Sequence, residues 1–233
     1  MPQVAVKLVD IMSSSRWEFR DTGPTWQHPV YGGGRAKWDP FPCYRHEMDA
    51  AIAAAEHVAR VCPPPWPVTI YLADLEETSR TNAYSYLHET GHYEDGTWVD
   101  DEPSGLIMLA GKRIPPHPAV TAYLIGHEYG HQAEWMINFA AGRERLHSPL
   151  AARDYIKVRG LPDEADHHGS GGAWHDSVHE ILACDFRILA CGLEPGYWPH
   201  PGVPRPEDIP GLPAWWEETL AAIEAAGTRP AAA

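Results

Sequence analysis

This sequence predicts an α+β fold in a single domain, and three observations lead there. At 233 residues the chain is long enough for one substantial core, or at most two small ones. Its hydrophobic fraction is 44%, with 10 Trp and 10 Tyr set against 23 Pro and 20 Gly. That balance belongs to a globular chain with long irregular connections, not to a disordered one. The patterned segments follow in the order helix, strands, then two helices, which suggests α+β.

Residues 3–9 (QVAVKLV) read as a strand. Residues 13–45 are rich in Trp, Gly and Pro, with three glycines at 32–34, and residues 1–45 therefore read as an irregular aromatic arm packed on the domain. From Arg45 to Cys62, Met48, Ala51, Ile52, Ala55, Val58, Ala59 and Val61 recur at helical spacing, and Pro63, Pro64 and Pro65 end that helix. Three strands follow at 67–75 (PVTIYLADL), 82–87 (NAYSYL) and 104–111 (SGLIMLAG), the last two joined by an acidic stretch containing Asp95-Gly96. After Pro115 and Pro116 comes the longest helical pattern, 118–141. Residues 143–173 are mixed and end in HHGSGG (167–172), and a second long helix covers 175–191. The core domain is thus placed at 46–193. A Pro-rich extension with a short helix from Pro213 to Ala226 fills 194–233.

The formal charge is −14 and no basic run interrupts it, so binding to nucleic acid through phosphate neutralisation is excluded. The longest apolar stretches, Ala50 to Ala55 and Ala119 to Ile125, fall far short of a membrane span. Lys7 and Asp10 break the N-terminal apolar run, so no secretory signal is read and a cytoplasmic protein is expected. The four cysteines form no CxxC pair. On a helix, Cys184 and Cys191 lie roughly 10 Å apart, too far to bridge, and idle thiols are expected, with Cys43–Cys62 the one open pairing. Fourteen histidines are a surplus that points towards metal chemistry.

The pattern His-Glu-x-x-His occurs at 88–92 (HETGH) and 127–131 (HEYGH). Its chemistry needs a helix: residues i and i+4 stand about 40° apart around the axis, so both imidazoles reach one tetrahedral Zn²⁺. The Glu at i+1 then flanks the attacking water as general base. The upstream copy follows an alternating, strand-like segment and precedes a turn, so His88 and His92 share no helical face. The second copy lies in VTAYLIGHEYGHQAEWMINFAA, where Val120, Tyr123, Leu124, Trp135 and Asn138 keep helical spacing. His127 and His131 are therefore candidate metal ligands and Glu128 the candidate catalytic base.

A catalytic zinc site takes three protein ligands. A metzincin would place glycine at 134 and histidine at 137, where this chain has Glu134 and Ile137. The next long helix, HDSVHEILACDFRILACGL (175–193), is the remaining source. Its segment EILACDFR (180–187) resembles the ExxA-x-x-F-R stretch of lethal-factor-like gluzincins and is similar to the ExxA-x-x-F pattern of ImmA/IrrE-type minigluzincins. The resemblance covers residues 104–190. It implies a zincin-like fold with a small mixed sheet, an active-site helix and a third-ligand helix. It also implies one zinc ion per chain held by His127, His131 and Glu180. Many lethal-factor-like proteins carry a second Glu four residues after the ligand to support a zinc-bound histidine; this chain has Cys184 there, and Asp185 or Glu134 are alternative supports. Ser177-x-x-Glu180 also fits a capping box, and His175, His179 and Asp185 stay open as third ligands.

The activity implied is hydrolysis of a peptide or protein substrate. Zinc lowers the pKa of a water in its open position to about 7 and polarises the scissile carbonyl, and Glu128 moves the proton to the leaving amine. In gluzincins a Tyr or His completes the hold on the oxyanion; His175, His179, His168 and Tyr155 are the candidates. By the resemblance, GLIMLAG (105–111) is the edge strand that pairs with an extended peptide. Two other readings compete: a zincin fold kept for binding within an assembly, and a metal-dependent hydrolase acting on a non-peptide amide. Oligomeric state has no signature in the sequence.

Overall fold

The four strand-patterned segments join in one sheet in a computed structural model of the chain, which describes residues 4–9, 44–73, 83–89, 91–94, 97–100, 103–112, 114–143, 146, 153–162, 177–194 and 198–228. The strands are β1 (Val4–Val9), β2 (Val68–Ala73), β3 (Ala83–His88), β4 (Gly91–Glu94), β5 (Thr97–Asp100) and β6 (Ser104–Leu109). Strands β1, β2, β6 and β3 lie in that order. β1, β2 and β6 run parallel and β3 runs antiparallel to β6, so the sheet is mixed. The α-helices among the described residues are α1 (Met48–Val61), α2 (Pro118–Ala140), α3 (Arg153–Arg159), α4 (Val178–Asp185) and α5 (Leu212–Gly227).

Period-2 alternation gives the sheet two faces. Val68, Ile70 and Leu72 of β2, Ile107 and Leu109 of β6, and Ala83 and Leu87 of β3 enter the main core under the helices. Tyr71, Ala73 and Met108 are buried in a separate cluster with Tyr84 and Leu106. α1 makes the crossover that parallel strands require between β1 and β2, and α2 runs through the middle of the helical layer, with every residue from Leu124 to Asn138 buried. The polar side chains in that stretch therefore need partners inside the protein.

Several expectations are corrected. β6 is an interior strand, paired on both sides, so it offers no edge to a peptide; the edge on that side is β3, which pairs through β6 alone. Sheet order is decided by non-local pairing, and nothing in the pattern of GLIMLAG distinguishes an inner strand from an outer one. Residues 4–9 form the strand read at 3–9 and pair with β2, while residues 10–43 lie outside the described residues. α5 belongs to the core, where Leu212, Trp216 and Ile223 are buried. β4 and β5 pair antiparallel, with Asp95-Gly96 outside the described residues, and α3 forms within the stretch read as mixed. α4 starts at Val178, later than the pattern suggested, and passes into a π-helical turn at Phe186–Ala190. Cys62 is a free buried thiol whose Sγ lies 3.6 Å from Met136 Sδ, so it makes no bridge to Cys43, which lies outside the described residues. Cys184 and Cys191 are free as well. Among the described residues no helix is long and apolar enough to cross a membrane.

Candidate metal centre

α2 begins cleanly because Pro118 occupies its first turn and the His117 ring accepts the Ala119 N–H at 3.2 Å. Three turns on, His127 and His131 leave the same face, as i and i+4 must. Facing them is Glu180 in the first turn of α4. Glu180 Oε2 lies 2.9 Å from His127 Nε2 and 3.6 Å from His131 Nε2. The two rings meet edge to face, with centroids 5.0 Å apart. The capping-box alternative does not form: Ser177 makes no side-chain cap, and Glu180 is turned to the imidazoles.

This donor set fits a zinc ion. Ligand atoms 2.0–2.2 Å from a tetrahedral zinc stand roughly 3.3–3.6 Å from one another. The 3.6 Å separation matches that spacing, and the 2.9 Å one needs to widen by only a few tenths of an ångström. His127, His131 and Glu180 form one of two groups of described residues whose ligand atoms lie together within 4.8 Å.

Electrostatics favour the ligand forms of all three. Burial lowers both histidines; His131 is brought down to about 4, with His179 adding to the effect against Glu180, and for His127 the pull of Glu180 only partly offsets burial. Both imidazoles are thus neutral near pH 7. Burial alone would raise Glu180, but its two histidine partners outweigh it and hold the carboxyl far below the usual range. Glu128 behaves oppositely: burial, then the Glu180 charge, raise it well above 4.5. A carboxylate in that environment is a stronger proton acceptor than one in water.

The support expected of an acidic residue falls to Cys184. Four residues after Glu180, it shares that face of α4, and its Sγ lies 3.4 Å from His127 Nδ1. Burial pushes the thiol up to about 12, so it stays protonated. A thiol both donates and accepts, weakly. As the structure stands, His127 Nε2–H donates to the ionised Glu180, and Nδ1 accepts from the thiol. Were Nε2 a metal ligand, the proton would sit on Nδ1 and donate to Sγ. The same side chain serves both tautomers, at the cost of a weaker bond than a carboxylate makes.

Glu134 makes its hydrogen bond to a histidine that is not one of the three candidate ligands. It pairs with His179 Nδ1 across the α2–α4 contact, and His131 Nδ1 is buried without a hydrogen-bond partner. His179 stacks on His131 with centroids 3.9 Å apart and 19° between planes. Burial would lower His179, but Glu134, by charge and hydrogen bond, raises it on balance. His131, Glu134 and His179 are the second group of convergent ligand atoms. Nearly parallel stacked rings direct their in-plane lone pairs side by side, so His131 and His179 do not meet on one ion. That makes His179 a close neighbour of the first site, tied to Glu134.

Two other candidates are committed elsewhere. Asp185 stands five residues after Glu180, about 140° round the helix, and is fully buried in an ion pair with Arg159, Nε to Oδ2 at 2.8 Å. Tyr155 donates its hydroxyl to the same carboxylate at 2.8 Å. Arg159 also donates to Pro204 O at 2.6 Å, which ties the C-terminal segment to α4. His168 and His175 lie outside the described residues. The upstream HETGH divides between strands, with His88 ending β3 and His92 in β4; Glu89 accepts the Leu146 N–H at 3.0 Å.

Three features have no place in the motif reading. Gly126 and Gly130 form the α2 face that receives the second helix: a Cβ at Gly130 would stand 2.6 Å from Ala183 Cα, and one at Gly126 would stand 2.9 Å from Leu193 Cδ1. Two glycines inside a helix, each costing about 1 kcal/mol against Ala, are a sequence signal for such close approach. Arg187, fully buried in the π-helical turn, holds its guanidinium 3.8 Å over the Tyr123 ring and adds its charge to the lowering of His127. Gln132, next to His131, is bonded to β3. Comparisons with known protein families, with curated proteins and with solved structures return no match to this chain.

Proposed function

We propose that this chain is a zinc-dependent metallopeptidase with a zincin-like, gluzincin-type catalytic core. The observation that carries the reading is the convergence of His127 Nε2, His131 Nε2 and Glu180 Oε2 from two helices onto one buried point. These three residues would hold a zinc ion, which would supply Lewis acidity for the scissile carbonyl and lower the pKa of a bound water. Glu128, one residue from the first ligand, takes the proton of the attacking water and passes it to the leaving amine. His179, held by Glu134 and stacked on His131, is the donor this reading assigns to the developing oxyanion. An extended peptide pairs with the outer edge of β3, which no described strand covers.

Purified without chelators, the protein is expected to contain about one zinc per chain, and Glu180→Ala to lose it. At a free zinc concentration near a hundred times Kd, linkage adds about 2.7 kcal/mol, a rise in Tm of roughly 5–11 °C for a chain of this size. Metal analysis and thermal unfolding with and without zinc read both. A wild-type chain that holds no zinc and shows no shift would end the proposal.

One observation favours a second reading, a zincin fold kept for binding with little turnover. A thiol supports His127 and nothing hydrogen-bonds His131 Nδ1, and weak support of a ligand histidine costs about 10–100-fold. Turnover of a peptide library that a zinc chelator abolishes decides for the enzyme.

A further inference from the structure

We propose that Gln132 is a positioning residue, a polar pin that fixes the edge strand β3 in register with the helix carrying the metal ligands. The inference rests on the metallopeptidase reading and adds to it the device that sets where a bound peptide lies along the site.

Gln132 is completely buried and follows His131 directly. Its Nε2 donates to Ser85 Oγ at 2.8 Å and to Tyr86 O at 3.0 Å, so both amide hydrogens go to β3; Leu106 O of β6 is further away at 3.5 Å. Ser85 belongs to the set Ala83, Ser85 and Leu87 that faces the helices, as alternation requires. Gly105, paired with Leu87 across β3–β6, makes the room. A Cβ at that glycine would come within 2.3 Å of Gln132 Oε1.

The arrangement is not what packing alone would select. Gln132 Oε1 is buried without a partner, and a buried polar atom in that state is unfavourable. A leucine of similar size would fill the space without it. What the amide provides is direction: a one-residue slip of β3 carries Ser85 to the opposite face, and a two-residue slip moves it about 7 Å along the strand. A one-residue slip breaks both bonds; a two-residue slip replaces the Tyr86 carbonyl with that of Tyr84 or His88 and loses the bond to Ser85, so the serine hydroxyl is the register-specific partner. A peptide pairing with the outer edge of β3 inherits that register, so its reacting carbonyl is set against His127, His131 and Glu180 through Gln132.

The test uses two probes on zinc-loaded full-length protein, wild type, Gln132→Leu and Ser85→Ala. Acetohydroxamic acid reads the metal alone; a tripeptide hydroxamate reads the metal and the strand together. Expected is an unchanged affinity for acetohydroxamic acid, within about twofold, and an about tenfold weaker tripeptide hydroxamate in Gln132→Leu. Ser85→Ala, which removes one of the two bonds, is expected to show a smaller loss in the same direction. Equal weakening of both probes, or of neither, overturns the pin while leaving the metal site standing. A wild-type protein that binds neither probe overturns the metallopeptidase reading, and the pin's role with it.

Discussion

Glu128→Gln is expected to keep its zinc and lose about 10²–10⁴-fold in hydrolytic rate. Glutamine has nearly the shape of glutamate, and the position is 5% exposed, so the substitution leaves the packing of α2 and the three ligand atoms as they are. Only proton transfer is removed. Burial and the neighbouring Glu180 charge raise Glu128 well above the ordinary carboxyl, which makes it a stronger base when ionised and tends to leave it protonated in the absence of metal. A divalent ion beside it opposes that tendency. The stability of the metal-free protein is expected to change little, because the amide keeps the size of the carboxyl and brings no charge to the buried position. Zinc content and peptide turnover measured on the same preparation separate the two effects. A variant that hydrolyses peptides at the wild-type rate would remove Glu128 from the chemistry. One that lost zinc together with activity would show it to be structural.

The parts of the site legible in the sequence are those governed by local geometry. The spacing of His127 and His131 on a helix fixes a shared face whatever surrounds it, and the same rule separates the upstream copy, which divides between β3 and β4. Glu180 was harder, since a Glu in a first turn is equally a cap; its carboxylate meets the two imidazoles only through the packing of the two helices. Periodicity located the four strands of the main sheet but not their order, and the resemblance put the edge on β6, which is interior. Order depends on which strands meet across long loops, and no single strand encodes it. The hairpin at Asp95-Gly96 had a turn signal but only four residues in each strand, too few for alternation to register. Tyr155 and Asp185 had suitable chemistry and plausible positions. Their mutual bond, and the Arg159 cation buried beside them, come from α3, whose seven residues sit in a stretch without clear periodicity.

Gly130→Val is expected to disturb fold and site together, and the reason lies in how Glu180 reaches its partners. α2 and α4 approach so closely at Gly130 that an added Cβ would stand 2.6 Å from Ala183 Cα and 2.8 Å from Ala183 O. Both are backbone atoms, which cannot swing aside as a side-chain tip can. A valine places two further methyls at that contact, so the helices must separate. Overpacking of this kind costs about 3 kcal/mol or more where backbone has to move. The tolerance for binding is smaller than the shift required: Glu180 Oε2 sits 2.9 and 3.6 Å from the two Nε2 atoms, and a displacement near 1 Å takes it out of reach of a common ion. Zinc affinity is therefore expected to fall with stability, and excess zinc to restore little of the lost Tm. Gly126→Ala is the contrasting case, because its nearest obstacle is Leu193 Cδ1 at 2.9 Å, the far end of a side chain that can turn. Alanine there meets a milder clash and gains helix propensity of about 1 kcal/mol, so stability should stay within about 1 kcal/mol of wild type and zinc should still bind. Urea midpoints and zinc titrations of both variants provide the check. A Gly130→Val protein as stable as wild type, or one that is destabilised but binds zinc undiminished, would mean that the close approach of these helices does not set the geometry of the site.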